Sequence, residues 1–181
     1  MSVGHVIAVV GPSGVGKDSV MAGLHAADPT LQIVRRTITR APELGGESFD
    51  PVDDARFAQM VNVRAFCLHW RAHDLSYGIP TDIRDRVLQG QSFLINLSRT
   101  VLSDAPAVFP DFTVLRLTAR ADTLVDRLTL RGRETADGIR ARLRHAGADI
   151  PDHLRCVEVS NDGTLEETVA ASLAALQRVK A

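Results

Sequence analysis

A glycine-rich segment near the start of the chain carries the residues with the clearest chemistry. It comprises Gly11, Pro12, Ser13, Gly14, Val15, Gly16, Lys17, Asp18 and Ser19, directly after an apolar run at residues 6–10. Glycines allow successive backbone N–H groups to approach one anion, because no Cβ blocks the way, and the start of a helix attracts phosphate. Lys17 adds a full positive charge where the β- and γ-phosphates of a nucleotide lie in such loops. The segment therefore predicts a loop that binds the phosphates of a nucleotide.

Asp18 departs from the usual form of this loop, in which Ser or Thr follows the lysine. The hydroxyl at that position normally binds Mg²⁺, and a carboxylate is likewise a hard oxygen ligand. We therefore expect Asp18 to bind the Mg²⁺ that accompanies ATP. The alternative is that Asp18 only caps the helix that follows, or interacts with its positive end.

The composition is that of one ordinary globular domain. The 181 residues carry a formal net charge of −1, so there is no basic field of the kind that tracks nucleic acid. Cys67 and Cys156 lie in apolar surroundings, which indicates small core residues in a reducing cytoplasm rather than a disulfide. No apolar run approaches membrane-spanning length, and the N-terminus lacks a signal-peptide pattern. We expect a single cytoplasmic domain over residues 1–181, with neither nucleic acid nor membrane as a partner; the pattern indicates no particular oligomeric state.

Apolar segments that suit buried strands alternate along the chain with amphipathic helical segments. Strands are predicted at residues 5–10, 31–39, 92–97, 112–118 and 155–160, and a hairpin at 66–79. Helices are predicted at residues 17–27, 53–61, 80–90 and 122–131, near 137–143 and from 165 onward, with a loop at 41–51 and an ambiguous segment at 102–109. This alternation predicts an α/β fold with a parallel sheet and helices on both faces.

Several sequence blocks resemble those of the P-loop nucleoside-monophosphate kinases, in their guanylate-kinase-like branch. The blocks are residues 11–17, residues 37–42 (Thr-Ile-Thr-Arg-Ala-Pro), Tyr77-Gly78, residues 127–132 with 139–143, and Asn161-Asp162. They span nearly the whole chain in the family's order. The resemblance implies a three-layer P-loop NTPase fold with a parallel central sheet, an acceptor-binding insertion at about residues 36–80 and a lid at about residues 131–138.

Three further details look like the ribose 1,5-bisphosphate phosphokinases of that branch. They are Lys17-Asp18-Ser19, Arg131-Gly132-Arg133-Glu134 and Asn161-Asp162-Gly163. The resemblance implies an ATP-dependent phosphotransferase that converts ribose 1,5-bisphosphate to 5-phosphoribosyl 1-diphosphate (PRPP) in phosphonate degradation. The partners implied are ATP with Mg²⁺ and a phosphorylated small-molecule acceptor.

The resemblance also implies roles for residues outside the loop. It assigns catalysis to Lys17, Arg131 and Arg142, and ATP binding to Arg133 in addition to the loop. These cations would neutralise the transferring phosphoryl group. The relatives carry aspartates at the end of the third buried strand, where this chain has Asn96 and Ser98. We therefore hypothesise that Asp18 supplies the negative charge beside Mg²⁺ that this strand lacks.

The resemblance assigns Arg40 and Tyr77 to the acceptor site. Arg36 and Arg99 are further candidates for holding an acceptor with two phosphates, and these four are the predicted acceptor residues. For Tyr77, packing of an aromatic ring in a hairpin is an equally good explanation. Arg35 and Arg71 are explained as readily by solvated positions at strand ends.

Two other functions remain open at this point. A guanylate kinase is disfavoured because His69 stands where those enzymes carry a glutamate that reads guanine, and because Glu43 replaces one of their phosphate-binding arginines. A binding module without catalytic activity is disfavoured because Lys17 and the two arginines assigned to catalysis are retained. A test of ATP binding separates this last alternative from the two kinases.

Overall fold

The computed structural model describes residues 2–41, 47–130 and 150–180. Its larger sheet consists of β1 (Val6–Val10), β2 (Leu31–Ile33), β7 (Ser92–Asn96), β8 (Phe112–Thr118) and β9 (Cys156–Ser160). These strands are all parallel and lie in the order β2-β7-β1-β8-β9. The described helices are α1 (Lys17–Ala27), α2 (Asp54–Asn62), α3 (Thr81–Leu88), α4 (Ala105–Val108), α5 (Ala121–Leu130) and α6 (Leu165–Lys180). The parallel sheet and the alternation of strands and helices confirm the predicted α/β class.

Strand β1 lies at the centre of the sheet and is buried on both faces. Successive side chains of a strand point to opposite faces. On one face, the side chains of Val6, Ala8 and Val10 pack in a core that also contains residues of α3, α4 and the smaller sheet. On the other face, Ile7 and Val9 pack with α1, α5 and α6. The glycine-rich loop therefore emerges from a strand that the cores on both sides hold in place.

A smaller sheet lies beside this core and covers the region predicted to bind the acceptor. It consists of β3 (Arg36–Ile38), β4 (Phe49–Pro51), β5 (Phe66–Ala72) and β6 (Leu75–Pro80), in the order β4-β3-β6-β5. Strands β5 and β6 form an antiparallel hairpin whose turn residues, His73 and Asp74, have φ values of 51° and 61°. The residues of this sheet lie within the expected insertion at about residues 36–80. The assignment of that range as an acceptor-binding insertion remains a prediction.

Two predicted segments differ from the structure. Residues 31–39 form two short strands in different sheets instead of one strand, because the chain leaves the larger sheet after the Val34 N–H bonds to the Leu94 carbonyl. The predicted loop at 41–51 contains β4, whose residues pair in parallel with β3. A three-residue strand with a single buried side chain, Phe49, carries too little periodicity for sequence analysis to detect.

The remaining elements follow the sequence pattern closely. Asp53 caps α2 by accepting a hydrogen bond from the Arg56 N–H at 2.6 Å. The ambiguous segment at 102–109 contains the short helix α4.

The expected lid at 131–138 and the helix near 137–143 lie outside the described residues. None of the helices in the described ranges is long and apolar enough to cross a membrane.

Candidate active site

The glycine-rich loop connects β1 to the first turn of α1. Gly16 is the N-cap of α1 and has φ of 93°, a left-handed conformation that favours glycine. A Cβ at Gly16 would lie only 2.7 Å from Nδ2 of Asn161. Gly14 has φ of 83°, and its Cβ would lie 2.8 Å from Cγ of Leu128. Both glycines are therefore required by backbone conformation and by close neighbours.

The side chain of Lys17 folds back over this loop. Its Nζ donates hydrogen bonds to the carbonyl oxygens of Gly11 at 3.0 Å and Pro12 at 3.4 Å. These contacts hold the ammonium group at the mouth of the loop, where Lys17 also lines an adjoining cavity. The arrangement presents a positive charge to a phosphate bound there.

Two residues from distant parts of the chain hold the loop through the carbonyl oxygen of Val15. Asn161 donates to it from Nδ2 at 2.7 Å, and Arg127 donates from Nη1 at 3.5 Å. Arg127 also donates to the Asn161 carbonyl at 2.8 Å, and Thr168 donates to Asn161 Oδ1 at 2.7 Å. Asn161 and Arg127 belong to the sequence motifs, but the sequence alone predicts no role for either residue. Through these hydrogen bonds, Asn161 and Arg127 hold the backbone of the phosphate-binding loop in place.

Asp18 is exposed in the first turn of α1, beside the end of β7. Asn96 donates to Asp18 Oδ1 from Nδ2 at 3.5 Å. Among the described residues, no cluster of three or more His, Cys, Asp or Glu side chains could hold a metal. An exposed single carboxylate beside a phosphate-binding loop suits Mg²⁺, which keeps several water ligands and is commonly bound by one or two carboxylates plus substrate phosphates.

A cavity of about 450 Å³ opens next to the loop. Its basic side chains are those of Lys17, Arg36, His73 and Arg99, and its other polar or aromatic ones are those of Ser13, Trp70, Tyr77, Asn96 and Ser98. Within the described part of the chain, none of the lining side chains is a carboxylate. The cavity is therefore suited to a ligand with several negative charges.

Arg36 lies buried at the wall of this cavity. Its guanidinium forms an ion pair with Glu47, through an Nη2 contact to Oε1 and a hydrogen bond of 3.1 Å from Nε to Oε2. It also donates from Nη1 to the carbonyl oxygen of Asn96 at 2.9 Å. Arg36 thus connects β3 of the smaller sheet to the end of β7 in the larger one. Glu47 is not among the predicted site residues, because no local sequence pattern relates it to a residue eleven positions earlier.

Tyr77 and Trp70 are opposite each other on β6 and β5 and stack with ring centroids 5.3 Å apart. The Arg36 guanidinium carbon lies 4.9 Å from the centre of the Tyr77 ring. Burial raises the pKa of the Tyr77 hydroxyl above its usual value of 10.0, although the charges of Arg36 and Arg40 act in the opposite direction. The hydroxyl therefore stays protonated near neutral pH and can donate a hydrogen bond to an anion.

Of the two other predicted acceptor residues, Arg99 lines the cavity and Arg40 does not. Arg99 lines the cavity from the turn after β7. Arg40 is not among the lining residues and lies over the ring of Phe49, 4.3 Å from its centre. Arg35 is exposed and pairs with Asp50, and Arg71 is exposed on β5, as expected for solvated arginines.

The position of His69 bears on the recognition of guanine. His69 is exposed and lies on the face of β5 opposite to Trp70, outside the residues that line the cavity. The histidine therefore does not occupy a position in the cavity wall, where Trp70 stands instead. Glu43, Arg131, Arg133 and Arg142 lie outside the described residues.

A second cavity, of about 250 Å³, also adjoins the start of the loop. It shares Val10, Gly11, Pro12 and Arg99 with the first cavity and extends along the end of β8 to Leu124. Two cavities therefore adjoin one phosphate-binding loop. A reaction between two bound molecules needs such an arrangement.

The parallel sheet, the glycine-rich loop with Lys17 and the cationic cavity together define a P-loop kinase. Solved structures support this fold: guanylate kinase from Anaplasma phagocytophilum matches with a TM-score of 0.73 at 18% identity, covering 99% of this chain and 87% of that one. A gluconokinase from Sinorhizobium meliloti 1021 matches with a TM-score of 0.59 at 18% identity, covering 97% of this chain and 93% of that one. No family model matches the sequence.

Relatives of known name identify the group more closely. Ribose 1,5-bisphosphate phosphokinase from Ruegeria sp. (strain TM1040) is 50% identical over 98% of this chain and 94% of that protein. The enzyme of the same name from Azotobacter vinelandii is 39% identical over 97% of each chain. A bifunctional ribose 1,5-bisphosphokinase-thymidine phosphorylase from Cupriavidus necator is 41% identical over 93% of this chain, which corresponds to 28% of that longer protein. The chain belongs to the ribose 1,5-bisphosphate phosphokinase family, which confirms the resemblance noted from the sequence.

Proposed function

We propose that this kinase transfers the γ-phosphoryl group of ATP to the 1-phosphate of ribose 1,5-bisphosphate, giving PRPP and ADP, as a step of phosphonate degradation. The observation that carries the proposal is the cavity beside Lys17, which has basic side chains and, within the described part of the chain, no carboxylate in its wall. An acceptor with two phosphate groups needs such a surface. The family to which the chain belongs supports the same acceptor over GMP.

The reaction needs little covalent participation by the protein. An oxygen of the acceptor's 1-phosphate attacks the γ-phosphorus of ATP, and the bond from that phosphorus to the bridging oxygen of ADP breaks. The attacking phosphate is already ionised near neutral pH, so no general base has to remove a proton. Catalysis then consists of alignment and charge neutralisation, which fixed cations provide.

The donor side of this proposal uses the loop that Asn161 and Arg127 support. Lys17 would bind the β- and γ-phosphates of ATP together with backbone N–H groups of residues 11–19. Asp18 would bind Mg²⁺, which when present neutralises charge on the nucleotide phosphates. Arg131, Arg133 and Arg142 remain predictions from the sequence for the lid side of the same phosphates.

The acceptor side uses the wall of the larger cavity. Arg99 and those Arg36 N–H groups that make no contact with the described residues would bind acceptor phosphates, and the protonated Tyr77 hydroxyl would donate one further hydrogen bond. Arg40, which lies over Phe49, would have to change position to take part.

The proposal is tested by measuring ADP release from MgATP with ribose 1,5-bisphosphate, with GMP and without an acceptor. We expect acceptor-dependent release with ribose 1,5-bisphosphate and a decrease of about 100-fold or more in Lys17→Met, because one fixed cation at a transferring phosphoryl group contributes on that order. Release with GMP alone, or equal release without any acceptor, would contradict the proposed function.

A further inference from the structure

The aromatic pair in the acceptor cavity offers the kind of surface on which a nucleobase stacks. Trp70 and Tyr77 are nearly parallel, with an angle of 7° between their rings, and both line the cavity. Flat aromatic faces of this kind bind bases without regard to sequence or base identity. A nucleoside monophosphate would therefore find a stacking surface here if the ring faces were open.

The protein covers these faces with its own planar cation. The guanidinium carbon of Arg36 lies 4.9 Å from the centre of the Tyr77 ring and 5.8 Å from that of Trp70. A guanidinium at this distance is attracted to the ring face. Trp70, which also packs in the hydrophobic core, has only 8% of its surface exposed.

Three hydrogen bonds to two residues keep Arg36 in this position. The carboxylate of Glu47 accepts from Nε and Nη2, and the Asn96 carbonyl accepts from Nη1. The two charged side chains are only 7% and 15% exposed, so separating them would leave a buried charge without its partner. The guanidinium is thus a fixed part of the cavity wall.

Arg36 can cover the rings and still bind a phosphate. All five N–H groups of a guanidinium lie in its plane, and contacts with the described residues use three of them. The remaining donors lie in the same plane as the other three. A phosphate group can accept charge-assisted hydrogen bonds from them.

We propose that Arg36, held in place by Glu47, determines acceptor specificity by covering the Trp70 and Tyr77 rings against a nucleobase. This inference rests on the proposed function, in which the acceptor is a sugar bisphosphate. It assigns Glu47 a positioning role, because the carboxylate acts on the acceptor only through Arg36.

The main test removes both charges together in Arg36→Ala/Glu47→Ala, so that no unpaired buried charge remains. The matched control is Arg35→Ala/Asp50→Ala, which removes the adjacent exposed ion pair between the same two chain segments. We measure kcat/KM for ribose 1,5-bisphosphate and for GMP. The ratio of the two values should fall by about 10-fold or more in the Arg36/Glu47 variant, since base stacking contributes on that order, and should stay unchanged in the control.

Trp70 provides a second readout that does not depend on turnover, because it is the only tryptophan of the chain. GMP should quench its fluorescence in the Arg36/Glu47 variant but not in the wild type. Arg36→Lys offers a milder variant that keeps the charge beside Glu47 and removes the planar group; it should also show quenching.

The outcomes separate this inference from the proposed function. Suppose that the wild type turns over ribose 1,5-bisphosphate, but that neither Arg36 variant gains GMP quenching or changes the kcat/KM ratio. This result overturns the inference and leaves the proposed function intact. Loss of sugar bisphosphate turnover in the variants without GMP quenching overturns it as well. Wild-type turnover of GMP and not of ribose 1,5-bisphosphate overturns both.

Discussion

Asn96 donates a hydrogen bond from Nδ2 to Oδ1 of Asp18 at 3.5 Å, which joins the end of β7 to the first turn of α1. Asp18, which follows the phosphate-binding loop, carries the negative charge of this pair, and Asn96 at the end of β7 carries a neutral amide. This is the arrangement required by the hypothesis that Asp18 supplies a negative charge that the strand lacks. The two positions are close enough to serve one Mg²⁺.

We therefore predict that Asp18→Asn weakens activation by Mg²⁺. The variant keeps a polar group at the helix start but loses the charge, so the Mg²⁺ concentration for half-maximal rate should rise about 10-fold or more. The measurement is the ADP release rate as a function of free Mg²⁺. A shifted melting temperature with an unchanged Mg²⁺ curve would mean that Asp18 only stabilises α1, a contribution of about 1 kcal/mol or less.

Asn161→Ala should weaken ATP binding by releasing the phosphate-binding loop. The substitution removes the 2.7 Å hydrogen bond to the Val15 carbonyl and also the acceptor of the Thr168 hydroxyl. Loss of a hydrogen-bond partner by a buried polar group costs about 1–3 kcal/mol of folding free energy. We expect KM for ATP to rise about 10-fold, corresponding to loss of one such interaction in the bound state. Ser172→Ala is the matched control, because Ser172 makes a buried 2.7 Å bond to the Thr168 carbonyl in α6. An equal rise in KM in both variants would assign the effect to general stability.

Tyr77→Phe should separate binding of the acceptor from packing of the ring. The variant keeps the ring that stacks on Trp70 and loses only the hydroxyl, whose bond to a charged phosphate should be worth about 10-fold in KM for the acceptor. KM for ATP should not change. Unchanged acceptor KM would instead support the explanation that Tyr77 only packs in the hairpin.

Asp162 should make stability depend on pH in the acid range. Hydrogen bonds from the Arg120 N–H, the Thr123 hydroxyl and the Ser160 hydroxyl lower the pKa of its carboxyl below the usual 3.8. A lowered pKa in the folded state stabilises the protein above pH 3.8, and this contribution is lost as pH falls through the lowered value.

The corresponding measurement is the melting temperature of wild type and Asp162→Asn between pH 6 and pH 3. The wild type should melt higher at pH 6, and the difference should shrink below pH 3.8 as the wild-type carboxyl takes up a proton. A difference that stays constant with pH would show that the charge of Asp162 has no part in stability.

Local pattern was sufficient for the elements that carry the phosphate-binding loop. The continuous apolar run of β1, the glycine spacing and Lys17 predicted the strand, the turn and the helix start, all of which the structure confirms. These features depend on residues that are neighbours in sequence. Propensity and periodicity therefore determine them without reference to the rest of the fold.

The acceptor site depends on contacts between distant segments, and the sequence was correspondingly less informative there. Glu47 meets Arg36 only because the chain leaves the larger sheet after Val34 and β3 then pairs with β4. The position of His69 was readable in principle, since alternation along β5 places it opposite to Trp70. The choice of face for Trp70, however, follows from how the hairpin packs on the core.

The most direct test of the central claim is the identity of the product formed from MgATP and ribose 1,5-bisphosphate, followed by ³¹P NMR. We predict two mutually coupled diphosphate signals from the group on C1 and one unchanged monophosphate signal from the group on C5, formed in step with ADP. An unchanged acceptor with ADP release only in the presence of GMP would contradict the account.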